Sequence, residues 1–397
     1  MIDLLLRDAA VRQAARSLRP RGDLEHTVAR TAWSVIAEPG DGAAGALIRE
    51  LGPVEALRVA LSPEDGTLLS PASSVAPHMR RAWAEARQRW RPRAHEEAVE
   101  RALRSAAQVG ATLLLPEDEE WPRRVDHLGY HAPQALWVRG DAGLLQRGPR
   151  ASIVGARASS AYGEQVAADL AGDLAAPGAV IVSGGAYGID GVAHRAALAV
   201  GGATVALLAG GVDRAYPAGH HQLLARIARD GAVVSELPCG SAPTKWRFLA
   251  RNRVIAALGD ATVVVEAGWR SGSLNTAGHA AELGRPLGAV PGPVTSPASA
   301  GCHRLLREYD ARCVTTAAEV RELWGETSGE RPNGEKAPHP DRTRLLDALS
   351  SRTAVTEEEL ARRSGLDPDR VRAQLGLLEL EGIAHRTDRG WRSSGAG

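Results

Sequence analysis

The stretch AVIVSGGAYGID, residues 179–190, decides the fold. Four apolar residues, rich in β-branched side chains, run without a polar break into Ser183-Gly184-Gly185-Ala186-Tyr187-Gly188, and a helix-like pattern follows from Ile189. A continuous apolar strand that ends in glycines and turns into a helix belongs to a parallel sheet covered on both faces. The pattern recurs outward in both directions. Further short apolar runs lie at 152–154, 203–208, 232–235, 261–266 and 287–290, separated by helix-like segments. This alternation predicts an α/β fold with a doubly wound, mainly parallel sheet over residues 106–325. Ligands of such sheets bind beyond the carboxyl ends of the strands, so the strand-end loops are the places to look for chemistry.

Four segments stand out there. The first is Gly155-Ala156-Arg157-Ala158-Ser159-Ser160, where a glycine permits a sharp turn and the serines can cap the next helix. Arg157 is either a phosphate contact over the sheet edge or a solvated arginine on a structural turn. The second is Ser183–Asp190 itself, whose three glycines let backbone N–H groups approach an anion. It is neither Gly-x-Gly-x-x-Gly nor a Gly-Lys-Ser/Thr phosphate loop. Asp190 is expected to cap the following helix, and His194 is as readily structural as functional. The third is Lys245-Trp246-Arg247-Phe248-Leu249-Ala250-Arg251-Asn252-Arg253, with four basic residues, no acidic one and two interleaved rings. Cations neutralise phosphates and a ring stacks on any base. The alternative is an amphipathic helix start with Trp246 and Phe248 in the core. The fourth follows Glu266 and contains Ser271-Gly272-Ser273, whose hydroxyl and backbone groups can bond phosphate. No zinc-hydrolase helix, nucleophile elbow or thiol with a base partner is present, and neither a cofactor nor a metal site is expected.

Composition narrows the classes. The 397 residues are 44% hydrophobic and 24% charged, with 48 basic against 47 acidic residues, so any nucleic-acid site is a local patch. Arginine replaces lysine almost throughout: only Lys245 and Lys336 occur. Three cysteines without a Cys-x-x-Cys pair argue against a disulfide framework and fit a reducing, cytoplasmic location. The N-terminal apolar run is too short for a signal peptide, and no membrane span is expected.

The flanks differ from the middle. Residues 1–105 are helical in pattern, with a break at Gly52-Pro53 that predicts two short helices within 42–61. A small helical domain of this kind, SAM-like or helix-hairpin-helix-like, either binds DNA or packs on a neighbour. Residues 326–340 read as a linker. Residues 341–397 carry an expected capping box, Thr356 with Glu359, then Asp367-Pro368 as a helix start, then a hairpin at the end. Three helices and a hairpin are the order of a winged helix.

Together the loops resemble the DNA-processing protein A family (DprA/Smf). The matching strings are IVGAR at 153–157, SGGAYGID at 183–190, YP at 216–217, RFLARNRVIAALGDATVVVEA at 247–267, SGSLNTAGHA at 271–280 and PG at 291–292. The resemblance implies a Rossmann-like domain that binds single-stranded DNA over the sheet edge. It implies protection of single strands during natural transformation, loading of RecA onto them, and a homodimer formed through that domain, with no catalytic turnover. By motif, Arg157 and Lys245 would contact the strand, Phe248 would stack on a base, and Gly184, Gly185 and Gly188 would let the backbone approach. Gly155, Ser183, Tyr187, Arg247, Arg251, Asn252, Arg253, Ser271, Gly272 and Ser273 complete the expected DNA-binding set. Two positions depart from the family: a basic residue is usual where Tyr187 stands, and a bulky aliphatic where Gly185 stands. The tail resembles the family's winged-helix domain. Its helix at 367–381 has four acidic residues against two basic ones, which suits a protein contact better than duplex DNA. The competing reading is a nucleotide phosphoribohydrolase on a related sheet, but its Pro-Gly-Gly-x-Gly-Thr signature is missing. A nicotinamide-dependent dehydrogenase would need fingerprint glycines that are absent.

Overall fold

The computed structural model describes residues 1–62, 77–326 and 340–394, and all but the ends of the expected linker lie outside them. The chain forms two compact units, residues 1–327 and 328–397.

The first unit is built on nine strands: β1 (Thr112–Leu114), β2 (Leu136–Gly140), β3 (Arg150–Val154), β4 (Val180–Ser183), β5 (Thr204–Leu207), β6 (Ala232–Ser235), β7 (Ala261–Val264), β8 (Leu287–Ala289) and β9 (Arg312–Cys313). Their order in the sheet is β1-β2-β6-β5-β4-β3-β7-β8-β9. From β6 to β9 every pairing is parallel, while β2 runs antiparallel to both β1 and β6. Every residue of β3 through β8 is buried, which is why these runs are apolar without alternation. Alternate side chains feed opposite layers: Ala151 and Ile153 pack with one cluster and Val154 with another.

The N-terminal region contributes α1 (Ile2–Arg7), α2 (Ala9–Leu18), α3 (Leu24–Ile36), α4 (Gly42–Leu61), α5 (Pro77–Trp90) and α6 (Glu96–Gln108). The helix α4 is broken at Gly52, where φ is +75°, as Gly52-Pro53 predicts. The break is held from α3, since Trp33 Nε1 donates to the Pro53 carbonyl at 2.9 Å. These helices share one apolar cluster with Trp137 of β2, Ala206 of β5 and Val233 of β6.

Between the strands come α7 (Ala161–Ala175), α8 (Ile189–Ala199), α9 (His221–Asp230), α10 (Lys245–Leu258), α11 (Ser273–Glu282), α12 (Ala300–Glu308) and α13 (Ala317–Leu323). The chain leaves β3 towards β4 on one side, and after β6 it returns to lay β7 on the other. The sheet therefore reverses its winding between β3 and β7, and a crevice opens beyond their carboxyl ends.

The second unit has α14 (Pro340–Ala348), α15 (Glu357–Ser364), α16 (Pro368–Leu380) and the hairpin β10 (Ala384–Thr387) and β11 (Gly390–Ser393). Leu345, Leu360, Val371, Leu375, Leu378 and Trp391 form its core. Asp367 caps α16 as expected, accepting from the Asp369 N–H at 2.8 Å. The Thr356 capping box is only half formed. Thr356 accepts from the Glu359 N–H, but the Glu359 carboxylate turns to Arg362 and Arg363. A charge-assisted pair wins over a bond to one neutral amide.

Among the described residues, no helix is long and apolar enough to cross a membrane, and no group of His, Cys, Asp and Glu is arranged to hold a metal ion.

Candidate nucleic-acid interface

A cleft of about 820 Å³ occupies the reversal point between β3 and β7. Its walls are the loops after β3 and β7 and the first turns of α10. Gly155, Arg157, Lys245, Phe248, Arg251, Asn252, Ser271, Gly272 and Ser273, all nominated from sequence, line it.

The loop after β3 is held rigidly. Ala156 N donates to the Glu266 carbonyl at 2.7 Å, and the Ala156 carbonyl accepts from Ile189 N at 3.2 Å. Any Cβ on Gly155 would sit 2.5 Å from Ile189 Cγ1, so only glycine fits. Ser160 caps α7 through the Gly163 N–H, and the buried Glu266 carboxylate accepts from Ser160 N at 2.9 Å. Glu266 is thus an anchor that ties the two wall loops together. Arg157, freed by this scaffold, is exposed, and its guanidinium lies 4.8 Å from the Phe248 ring centroid.

The glycine loop after β4 lies behind the cleft. Of its residues, Ala186 and Asp190 line it, whereas Ser183, Gly184, Gly185, Tyr187 and Gly188 do not. The reason is that the loop's polar groups are already matched. Ser183 is buried and its Oγ donates to the Ile153 carbonyl at 2.6 Å. The Gly184 N–H donates to Asp190 Oδ2 at 3.1 Å, so Asp190 caps this loop and not α8, whose N-cap is Gly188 without a side-chain bond. The Gly185 carbonyl pairs with His220, and φ at Gly185 is +67°. A Cβ on Gly188 would strike the Ala156 carbonyl, so this glycine serves loop-to-loop packing. Tyr187 turns its hydroxyl to the Gly219 N–H and its ring edge-on to His220. His194 is wholly buried against Thr204 and belongs to the core.

On α10 the four basic residues divide. Thr244 caps the helix, which leaves Lys245 exposed at the cleft rim, and none of the ion pairs among the described residues involves it. Trp246 is exposed, contrary to the core alternative, and lies outside the cleft lining. Arg247 does not face the cleft: it grips Glu38 of the N-terminal region with two bonds, at 2.8 and 3.0 Å. Arg253 is likewise committed, to Glu236 at 2.5 and 2.7 Å and to the His131 carbonyl. Arg251 lies at the cleft floor, 7% exposed, and donates to the carbonyls of Gly184 and Leu207. Its Nε has no acceptor among the described residues. Burial lowers its pKa to about 10, with Asp190 opposing and Arg157 adding to the fall, so it remains a cation at neutral pH. Burial raises the Asp190 carboxyl, against the pull of Arg251 and the two loop amides.

The loop after β7 closes the cleft. Asn252 Nδ2 donates to the Gly272 carbonyl and to Asn275 Oδ1, both at 3.3 Å, and so fixes the loop rather than presenting its amide. Ser271 and Ser273 hydroxyls bond each other at 2.8 Å. Arg270, Thr244 and Tyr216 also line the cleft and were not nominated. Arg270 directly precedes Ser271-Gly272-Ser273 in the sequence, and an arginine beside that loop was the signal. Tyr216 reaches in from the loop after β5, with its ring 5.5 Å from that of Phe248. The lining thus carries four cations, Arg157, Lys245, Arg251 and Arg270, and one carboxylate, Asp190, already bonded to loop amides.

Known proteins resemble this chain over most of its length. The sequence profile of the family described as DNA recombination-mediator protein A matches residues 112–325, and that of the DprA winged helix domain matches residues 329–388. A DNA processing protein DprA of Mycobacterium tuberculosis is 44% identical over 92% of this chain and 95% of its own. Protein Smf of Escherichia coli is 38% identical over 68% of this chain and 74% of its own. The X-ray structure of DNA processing protein A from Streptococcus pneumoniae superposes with a TM-score of 0.60 at 28% identity, covering 77% of this chain and 98% of that one.

Proposed function

The chain belongs to the DNA recombination-mediator protein A family, and from that membership we propose that its cleft between β3 and β7 binds single-stranded DNA without cleaving it. The observation that carries the reading is convergence: Arg157 from the loop after β3 and Lys245 and Phe248 from the start of α10, far apart in sequence, line one cleft with Arg251 and Arg270. Flexible single strands can lay phosphates on such cations while a base stacks on the ring, and both interactions are indifferent to sequence. The buried Arg251 keeps its charge at the cleft floor, which supports an anionic ligand there through its field.

We infer that the protein acts by holding the strand and handing it to RecA, as a homodimer in the cytoplasm. Two features support an absence of turnover. The thiols of Cys239 and Cys302 are pushed up to about 12, chiefly by burial, which makes them poor nucleophiles. The one carboxylate in the cleft is held by backbone amides. The acidic excess over residues 367–381, α16 with its two caps, supports a protein contact for the tail, and Leu377 and Leu380 are 51% and 87% exposed. We infer a division into a helical region at 1–105, the sheet domain at 106–325, a linker, and a winged helix at 341–397. The test is binding of mixed-sequence oligonucleotides by Arg157→Ala and Lys245→Ala. Each should bind more weakly, about equally for all sequences. Binding at wild-type strength by both folded variants, or release of free base from a nucleoside monophosphate, overturns the proposal.

A further inference from the structure

A second cleft, of about 540 Å³, opens beside the first and is lined by Arg214, Ala215, Tyr216, Ala218, His221 and Pro243. Tyr216 and Pro243 line both clefts. Tyr216 is the partition: its ring is tilted 50° to Phe248 on the main-cleft side and remains 48% exposed.

The loop that carries Arg214 is pinned. Gly211 N donates to the Ser241 carbonyl at 3.0 Å and Arg214 N to the Gly211 carbonyl at 3.1 Å. The adjacent acid, Asp213, is engaged by the Gly240 N–H at 2.9 Å. Arg214 is exposed, and none of the ion pairs or side-chain hydrogen bonds among the described residues involves it. Arg214 is therefore an open cation on a fixed loop beside the shared Tyr216 ring, placed where a phosphate passing that ring can bond to it.

We propose that the single strand does not end in the main cleft but continues past Tyr216 into this second one, where Arg214 takes a further backbone phosphate and Tyr216 stacks between successive bases. The ligand is a polynucleotide long enough to span both clefts. The inference rests on the function proposed above. Single-stranded DNA has a repeating charge, so one added phosphate contact changes the salt dependence by about 0.7 in slope. Stacking on Tyr216 adds affinity without choosing a base.

The test is fluorescence anisotropy with the full chain and labelled oligothymidylates of about four and about sixteen nucleotides, a range that spans known single-strand site sizes, over a salt series. Arg214→Ala should bind the short oligonucleotide like wild type and the long one about 3- to 10-fold more weakly, with a salt slope smaller by about 0.7. Arg214→Lys should restore the slope. The inference is overturned if Arg214→Ala matches wild type at both lengths while Arg157→Ala weakens both, or if Arg214→Ala weakens both lengths equally. If Arg157→Ala is also without effect, it is the main cleft that was misread, and the second cleft falls with it.

Discussion

The Arg157 guanidinium sits 4.8 Å from the centroid of the Phe248 ring, and Arg251 stands 6.0 Å from the same ring. In the free protein the ring therefore already has a cation on its face. A base can stack there only if Arg157 swings away, and a phosphate of the same strand gives it somewhere to go. A cation–π contact at an exposed site is worth about 0.5–1 kcal/mol, less than the roughly 1–3 kcal/mol of base stacking, so the exchange favours the bound state. Phe248→Ala should lose about 1–3 kcal/mol of single-strand affinity. Phe248→Leu, which keeps bulk without a π face, should lose most of the same amount. Equal binding by wild type and Phe248→Leu would show that the ring serves only packing.

Two cations of the cleft are predicted to fail differently. Lys245 is exposed and in no ion pair among the described residues, so Lys245→Ala should weaken binding while changing stability by no more than about 0.5 kcal/mol. Arg251 is buried and holds the carbonyls of Gly184 and Leu207. Arg251→Ala strips those bonds and leaves Asp190 buried without its compensating charge, so it should cost about 3 kcal/mol of stability. Paired thermal melts and binding isotherms separate the two. Similar melting of both variants contradicts the assignment.

Glu38 joins the N-terminal helices to α10. Burial raises its carboxyl pKa, but hydrogen bonds and charge from Arg247 and Arg93 outweigh that and leave it below its usual value. A depressed acid contributes stability above its unfolded pKa and loses it as pH falls through the folded one. Glu38→Gln should therefore cost roughly 1 kcal/mol at pH 7, the modest figure reflecting solvent screening at this half-buried site. The difference from wild type should shrink as pH falls below the ordinary glutamate range and disappear only once the lowered folded-state value has been passed. Denaturant titrations at several pH values check it; a difference that persists in acid refutes it.

His194 sets an acid limit. Thr204 Oγ1 donates to the Ile181 carbonyl at 2.8 Å, so His194 Nδ1 must donate to Thr204 at 2.7 Å. That leaves Nε2 bare and buried, with no partner among the described residues. Protonating it would bury an unmatched N–H. Burial, with His220, Arg251 and Arg195, lowers the pKa to about 3. The unfolded chain takes up this proton near pH 6.5 and the folded one does not, so stability is full above that pH and falls as acid is added. Between pH 6.5 and 5 the loss should be about 2 kcal/mol from this residue. His194→Gln should show a stability profile flatter by that amount. An unchanged profile would contradict the neutral assignment.

The tail makes a prediction by what it should not do. With Leu377 and Leu380 exposed and an acidic excess over residues 367–381, deletion of residues 328–397 should leave the affinity for duplex DNA and its salt slope unchanged. A slope that drops by two or more on deletion would mean that the tail binds phosphates.

How far the sequence revealed this follows from where each signal lies. The parallel strands β3 to β8 were legible because burial on both faces leaves an uninterrupted apolar run, as in Val180–Ser183, whereas the two exposed residues of β9 leave none. The antiparallel β1 and β2 were not, being a short edge and its neighbour without that signature. Arg157, Lys245 and Phe248 were legible from loop position and charge. Arg247 and Arg253 were not, because their partners, Glu38 and Glu236, are set by tertiary contact. A dense basic run on a helix turns different residues to different sides, and composition cannot say which side meets the cleft. The glycines of the second loop were read as phosphate cradles. Asp190, only two residues beyond Gly188, takes the amide that would have served.

The most direct measurement is a salt-series titration of the full chain with single- and double-stranded oligonucleotides of the same sequence, for wild type and an Arg157→Ala/Lys245→Ala double variant. The account predicts tighter binding of the single strand, with a log–log salt slope that falls by about 1.4 in the double variant. Equal affinity for the two forms of DNA, or a slope untouched by removing both cations, would contradict it.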